Sequence, residues 1–258
     1  AIDLYAGRFR KAAAELVATA PRLTPEAAPG PVTVLLGGQR NAGKSSLINA
    51  LSGTLRVPAS LTRQSADFTA HALGEDLVLV DGPGTGTEPA RAWLDRAAGA
   101  DAILWVARAH DIARGPDQRA LAALRGAQAA RPAETAAPVI LVLTHADRLP
   151  PPRDWAPPYD LQGEAAKEQS FRAALGAARA ALDIDRAVIL RCDSVENAWN
   201  LDALRASLAA ALPAARARQL DRAFAPAGWA GLAAGTLVKL PGLARRLWSA
   251  GAGGRRRN

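Results

Sequence analysis

Residue types that could do chemistry are concentrated in residues 38–45, which read G-Q-R-N-A-G-K-S. This segment fits the pattern G-x-x-x-x-G-K-[ST] and lies between an apolar run and the helical stretch SLINAL. Glycines let successive backbone N–H groups point at a polyphosphate, while Lys44 would neutralise phosphate oxygens and Ser45 would offer a hydroxyl to Mg²⁺. We therefore predict a nucleotide-phosphate loop formed by Gly38, Gln39, Arg40, Asn41, Ala42, Gly43, Lys44, Ser45 and Ser46.

A second motif, D-G-P-G, begins at Asp81 and directly follows the apolar run 77–80. A carboxylate at the carboxyl end of a strand can reach Mg²⁺ through a water, and Gly84 could hinge toward a γ-phosphate. Such a turn alone is weak evidence, but it lies about 37 residues after the loop lysine, a separation typical of nucleoside triphosphatases. We predict that Asp81 and Gly84 belong to the same site.

A third motif, T-H-A-D, starts at Thr144 after the apolar run PVILVL and resembles the base-recognition motif [NT]-K-x-D. The carboxylate of Asp147 could accept hydrogen bonds from N1–H and the exocyclic amine of guanine, which adenine does not present together. His145 stands where a lysine is usual and Thr144 where an asparagine is usual. These residues predict a preference for guanine.

A fourth segment, Ser194-Val195-Glu196, reads as the base-contacting loop S-A-[KR], with valine in place of alanine. Its backbone N–H would contact the guanine carbonyl, so Ser194 and Val195 join the predicted nucleotide site. Cys192 lies two residues earlier, and no histidine is near it in the sequence. We predict a small buried residue at that position, not a nucleophile.

In order and spacing, these four motifs resemble the Era/TrmE-like branch of small GTPases, within the translation-factor-related class, over residues 31–212. The run N-A-G-K-S-S-L-I-N-A-L is very similar to that of the branch. The resemblance implies GTP and GDP as ligands and Mg²⁺ held by Ser45, Asp81 and Thr62, with Thr69 as the alternative to Thr62. It also implies that Lys44 and Thr62 are the catalytic residues.

The resemblance further implies switch segments near residues 54–70 and 82–93, and a potassium ion beside Asn41. Thr85 stands where better-known small GTPases have the glutamine that orients the attacking water, and the Era-like branch also lacks that glutamine. Slow intrinsic turnover is therefore expected unless potassium, a nucleotide-dependent homodimer or an activating partner completes the site.

The elements needed to position these motifs follow from the apolar pattern. Short runs at 32–36, 77–80, 102–106, 139–143 and 187–190 alternate with alanine-rich helical stretches near 44–52, 88–98, 115–129, 162–182 and 201–211. A mixed run at 67–73 suits an antiparallel edge strand, and 150–158 is too rich in proline for either element. We predict an α/β fold with three layers and a mostly parallel sheet of six strands.

Composition excludes several other classes of protein. The 258 residues are 49% hydrophobic and 22% charged with a single cysteine, which excludes general disorder, a collagen-like repeat and a disulfide scaffold. The three histidines show no metal-ligand spacing, so Mg²⁺ is the one metal expected besides potassium. We predict an N-terminal helix and linker at 1–30, a G domain at 31–212 and a basic, partly apolar tail at 213–258.

The positive charge is concentrated in the predicted tail. Nine basic residues and one acid at 213–258 account for the whole net charge of +8. Such a tail could contact RNA or an anionic membrane surface, or serve only as a solvated extension. No signal peptide is visible, and the absence of methionine suggests that native sequence, and with it an anchor, once preceded Ala1. We expect a cytoplasmic protein, peripheral to the inner face of a membrane.

The sequence therefore predicts an enzyme that binds GTP and hydrolyses it to GDP and phosphate, acting as a conformational switch at a membrane surface. Two alternatives remain open. The chain could be a GTPase that assembles ribosomes or RNA, or a nucleotide-bound scaffold with little hydrolysis.

Overall fold

The structure, a computed structural model, describes residues 30–53, 68–86, 89–129, 136–194 and 196–224. The predictions for Thr62, for Val195, for the N-terminal helix and for the tail beyond residue 224 lie outside these ranges. Most of the first predicted switch lies outside them as well.

The strands of the described residues form one sheet of six strands in the order β2-β3-β1-β4-β5-β6. Only β2 runs antiparallel to its neighbour, and it lies at the edge beside β3. The mostly parallel α/β sheet and its antiparallel edge strand are thereby confirmed. The strands are β1 (Val32–Gly37), β2 (Thr69–Ala72), β3 (Leu77–Asp81), β4 (Ala102–Arg108), β5 (Val139–Thr144) and β6 (Ala187–Ile189).

Five helices of the described chain cover the two faces of this sheet. Side chains alternate along each strand, so Leu35 and Leu36 of β1 enter opposite apolar layers. One layer is shared with α1 and α5, and the other is shared with α2, α3 and α4. This arrangement is the predicted three-layer fold. The helices are α1 (Lys44–Ser52), α2 (Arg91–Gly99), α3 (Gly115–Ala129), α4 (Ala166–Leu182) and α5 (Leu201–Phe224).

The last helix differs from its prediction, because α5 continues past residue 211 and through Pro213 to Phe224. Arg218, only 1% exposed, donates hydrogen bonds of 2.8 Å to the carbonyls of Ala98 and Ala100. Arg216 forms an ion pair with Asp76 at 3.2 Å. Two basic residues assigned to a tail are therefore bound to the body of the fold. No helix among the described residues has the length and apolar character needed to cross a bilayer.

The parallel strands place the predicted motifs together. Because β1, β3, β4, β5 and β6 point the same way, their carboxyl ends share one edge of the sheet. The phosphate loop follows β1, Asp81 ends β3, and the T-H-A-D turn starts at the last residue of β5.

Candidate nucleotide-binding site

The phosphate loop connects β1 to α1 through backbone conformations that require glycine. Gly38 has a φ of +126°, and a Cβ there would lie 2.0 Å from the carbonyl oxygen of Val106. Gly43 has a φ of +93° and precedes the first residue of α1. Both positions are inaccessible to ordinary side chains, so the two glycines of the motif shape the loop as the sequence pattern predicts.

The positive groups of the loop face inward at the start of α1. Lys44 is 8% exposed, and its ammonium donates to the carbonyls of Gly38 at 3.2 Å and Gln39 at 3.0 Å. Burial lowers the pKa of Lys44, an effect that the carboxylates of Asp81 and Asp117 oppose. The helix N-terminus adds its own positive potential. A polyphosphate would therefore meet a charged lysine and unpaired helix N–H groups in one place.

Ser45 and Asp81 meet across the site. The hydroxyl of Ser45 donates to a carboxylate oxygen of Asp81 at 2.7 Å, and the other oxygen accepts from the N–H of Gly82 at 3.0 Å. Asp81 is 6% exposed. A hydroxyl and a carboxylate are the oxygen donors that Mg²⁺ takes in phosphate sites. These two side chains therefore fit the predicted metal, while the third predicted ligand, Thr62, is outside the described residues.

The segment after Asp81 lies directly on the phosphate loop. A Cβ at Gly84 would stand 2.8 Å from the backbone nitrogen of Arg40, and the N–H of Thr85 donates to Gly38 at 3.1 Å. Gln39 donates to the carbonyl of Gly86 at 2.9 Å. Thr85 is 3% exposed, with its hydroxyl 3.4 Å from the Gln39 amide. The predicted second switch therefore starts against the loop that would hold the phosphates.

Asp117, which the sequence motifs do not include, also contacts this junction. One of its carboxylate oxygens accepts from the Gln39 amide and from the indole N–H of Trp105, both at 3.2 Å. Burial raises the pKa of Asp117, and these two hydrogen bonds oppose the shift. Gln39 lies 78 residues before Asp117, so no local pattern could have predicted the pair.

The base-recognition turn is tied to the phosphate loop. The buried hydroxyl of Thr144 donates to the carbonyl of Ala42 at 2.7 Å. The following residue, His145, has a φ of +57° and leads into a short 3₁₀ turn, Ala146–Arg148. Thr144 thus couples the base-recognition turn to the phosphate loop.

His145 presents a neutral imidazole. Burial, with Arg148 nearby, lowers the pKa of His145 to about 4. Its ring packs edge-to-face on His110, with centroids 5.6 Å apart. The hydroxyl of Thr144 has one hydrogen and gives it to a carbonyl, so the Nδ1–H of His145 is the donor in their 2.8 Å contact. A flat, uncharged ring therefore replaces the usual lysine.

Asp147 and Ser194 follow on the same edge of the sheet. Within the described residues no group donates a hydrogen bond to the Asp147 carboxylate, so its oxygens remain available to a ligand. The N–H of Ala146 donates to Leu190 at 3.3 Å, which ties this turn to the segment leading to Ser194. The hydroxyl of Ser194 accepts from the N–H of Asn197 at 3.1 Å.

The remaining predicted residues occupy the loop and the first turn of α1. Arg40 and Asn41 are exposed, Ala42 is buried and Ser46 is half-buried. Cys192 is 4% exposed, and burial raises its pKa to about 12, so the prediction that it is not a nucleophile fits its surroundings. The fold and the site together define a P-loop nucleotide-binding domain.

Comparisons with known proteins narrow this class. Residues 33–145 match the family model described as 50S ribosome-binding GTPase. The tRNA modification GTPase MnmE of Paracidovorax citrulli (strain AAC00-1) is 37% identical over 130 residues, which are 45% of this chain and 26% of that protein. MnmE of Acidovorax sp. (strain JS42) is 39% identical over 95 residues, which are 32% of this chain and 20% of that protein. The chain therefore spans about a quarter of the length of these relatives or less.

Solved structures that match the chain more weakly include a probable GTP-binding protein EngB and Era in complex with MgGDPNP and a fragment of 16S ribosomal RNA. EngB is 13% identical with a TM-score of 0.47, and the match covers 72% of this chain and 99% of EngB. Era is 17% identical with a TM-score of 0.47, covering 71% of this chain and 57% of Era. Residues 33–145 are therefore similar to the GTPase domain that the family model describes and to the matching part of the MnmE relatives. This similarity supports the prediction of a guanine-nucleotide-binding GTPase.

Proposed function

We propose that this chain binds GTP with Mg²⁺, hydrolyses it to GDP and phosphate, and changes conformation as the γ-phosphate leaves. The observation that carries the proposal is the hydrogen bond of 2.7 Å between Thr144 and Ala42. Through it, the turn that carries Asp147 is held against the loop that carries Lys44. One ligand with both a guanine and a polyphosphate satisfies both halves.

Catalysis in this proposal consists of positioning and charge neutralisation. Lys44 would move from its loop carbonyls to the phosphate oxygens, and the loop N–H groups would stabilise the charge that develops on them. Ser45 and Asp81, with Thr62 predicted beside them, would hold Mg²⁺. The bound ion would neutralise the β- and γ-phosphate oxygens.

The switch in this proposal is the segment that begins at residue 82. Its contacts with the phosphate loop run through Gly84, the N–H of Thr85 and the carbonyl of Gly86. A γ-phosphate would occupy the same surface of the loop, so binding and loss of that group would change these contacts. Thr85 is buried against Gln39, so it is not placed to orient the attacking water as a glutamine would. Intrinsic hydrolysis of GTP is therefore expected to be slow.

Potassium would raise the rate if it binds beside Asn41. This residue is exposed at the tip of the phosphate loop with a φ of +59°, so its side-chain oxygen could join loop carbonyls around an ion. A homodimer formed in the GTP state is the other proposed way to complete the site.

A role at an anionic membrane surface in the cytoplasm is the proposed setting, supported by the basic residues after position 213. Two of them are already bound within the fold, Arg216 to Asp76 and Arg218 to two carbonyls at the end of α2, so the remaining basic residues would make the contact. Sedimentation with vesicles that contain anionic lipid tests this setting. Binding that does not depend on anionic lipid would count against it, and binding to RNA in its place would favour the assembly role.

Calorimetric titration of nucleotide-free protein with GTP, GDP and ATP in Mg²⁺ tests the proposed activity. We expect tight binding of the two guanine nucleotides and phosphate release that is faster in potassium than in sodium. Lys44→Ala should abolish binding, whereas Arg153→Ala, at an exposed position, should not change it. Unchanged GTP affinity in Lys44→Ala would refute the site, and single-turnover assays without phosphate release would favour the scaffold.

A further inference from the structure

We propose that Lys167 is a positioning residue for guanine recognition, because its ammonium fixes the backbone that carries Asp147. This inference rests on the proposed function and adds a residue that none of the sequence motifs includes. Lys167 lies in the first turn of α4, twenty residues after Asp147.

The ammonium of Lys167 is completely buried and fully used. Lys167 is 0% exposed. Its Nζ donates hydrogen bonds to the carbonyls of Asp147 at 2.8 Å, Leu149 at 2.7 Å and Pro151 at 2.9 Å. An ammonium has three hydrogens, and each has an acceptor here. A charge placed in the interior in this way is costly unless its partners are held in place, so the lysine and the loop constrain each other.

The loop after Asp147 depends on an outside donor for its hydrogen bonds. Residues 150–152 are all proline, so this stretch has no backbone N–H to form local turns. Lys167 satisfies carbonyls on both sides of the start of this stretch. The first of those carbonyls belongs to the residue whose carboxylate is predicted to accept the guanine hydrogen bonds.

Aromatic side chains enclose the lysine on the outer side. Its Nζ lies 5.7 Å from the ring centre of Trp155 and 6.0 Å from that of Phe171. Trp155 also packs edge-to-face on Trp199, with centroids 5.7 Å apart. Rings of this kind attract a cation and exclude water, so the bonds from Lys167 to the loop form in a protected environment.

Lys167 and Asp147 also interact through their charges. Burial lowers the pKa of Lys167, and the negative charge of Asp147 opposes that shift. The two residues are therefore linked by charge as well as by the hydrogen bond to the Asp147 carbonyl.

The test compares Lys167→Met with Arg125→Met as a matched control. Arg125 likewise donates to two carbonyls, of Leu182 at 2.7 Å and Asp183 at 2.6 Å, but at the opposite end of α4. Affinities are measured by calorimetry for Mg-GDP and for Mg-tripolyphosphate, which engages the phosphate loop and has no base. We expect Lys167→Met to raise the Kd for GDP by roughly tenfold to a hundredfold. Its tripolyphosphate affinity should stay within about twofold, and Arg125→Met should leave both affinities unchanged within about twofold.

Three results would overturn the inference. The first is wild-type GDP affinity in Lys167→Met, and the second is an equal loss of GDP and tripolyphosphate affinity. The third is a parent protein that binds ADP as tightly as GDP, which identifies a failure of the proposed function itself. If Lys167→Met does not fold, Lys167→Arg keeps a charge and donors at the position. That variant should show a smaller loss of affinity, and the loss should still be confined to GDP. Equal losses of affinity for GDP and for tripolyphosphate would contradict the proposal.

Discussion

The low pKa of His145 predicts that this residue makes the stability of the domain depend on pH. An unfolded chain binds a proton at this side chain near the ordinary pKa of 6.5, whereas the folded protein does so only near a pKa of about 4. Between these values the unfolded state binds more protons than the folded state. Stability is therefore complete above pH 6.5 and is lost progressively as the pH falls toward 4.

The size of this effect follows from the shift. Each pKa unit corresponds to about 1.4 kcal/mol, so a shift from 6.5 to about 4 has an upper bound of about 3–4 kcal/mol. Because His145 is only half-buried, solvent screening reduces the expected contribution to about 1–2 kcal/mol. Burial also lowers the pKa of His110, so His110 likewise reduces the stability of the folded protein as the pH falls.

The assay is urea unfolding of the parent and of His145→Asn at pH 7.5 and at pH 4.5. Asparagine does not titrate, tolerates the positive φ of this position and can donate to Thr144. On going to the lower pH, we expect the parent to lose about 1–2 kcal/mol more free energy of unfolding than the variant. Because the ring of His110 packs on that of His145, His110→Asn is measured in the same way to separate the contribution of His110. Equal losses in the two proteins would refute the reasoning.

Three further predictions concern single residues. Gly38→Ala should lower the free energy of unfolding by about 3 kcal/mol or more, because its Cβ would lie 2.0 Å from the Val106 oxygen; an unchanged melting temperature would contradict this. Cys192, with its pKa raised to about 12, should react with a thiol reagent only after denaturation, and rapid labelling of the native protein would be inconsistent with its burial. Arg218→Met should cost about 2–4 kcal/mol in urea unfolding, since it removes donors from Ala98 and Ala100; a loss below about 0.5 kcal/mol would show that these bonds do not stabilise the end of α2.

The sheet could be predicted because its signals are local. Each strand is a short apolar run. Glycines lie directly before and after α1, so this helix begins and ends as expected at Lys44–Ser52. The antiparallel edge strand was also predictable, because polar and apolar residues mix along that run of the sequence. Periodicity and turn chemistry determine these features within a few residues of the chain.

The end of α5 could not be predicted in the same way. Pro213 and the basic residues after it are typical of a helix end followed by a solvated tail. The contacts of Arg218 with carbonyls 118 and 120 residues away stabilise the longer helix, and no local pattern reports them. Tertiary contacts override propensity here.

The residues of the candidate site likewise differ in whether the sequence could predict them. Motif residues such as Lys44, Ser45 and Asp81 could be named from spacing, whereas Asp117 and Lys167 could not. Both belong to alanine-rich helical stretches, where a charged residue is most often solvent-facing. Their function depends on which carbonyl or amide the fold places against them.

Base selectivity tests the central claim most directly. Equilibrium titrations in Mg²⁺ would compare GDP, ADP and xanthosine diphosphate on the parent protein and on Asp147→Asn. An asparagine amide replaces one acceptor oxygen with a donor, which suits the carbonyl that xanthine has in place of the guanine amine. We predict that the parent binds GDP at least about a hundredfold more tightly than ADP, and that Asp147→Asn prefers xanthosine diphosphate to GDP. Equal affinity of the parent for GDP and ADP, or unchanged GDP affinity in Asp147→Asn, would contradict the account.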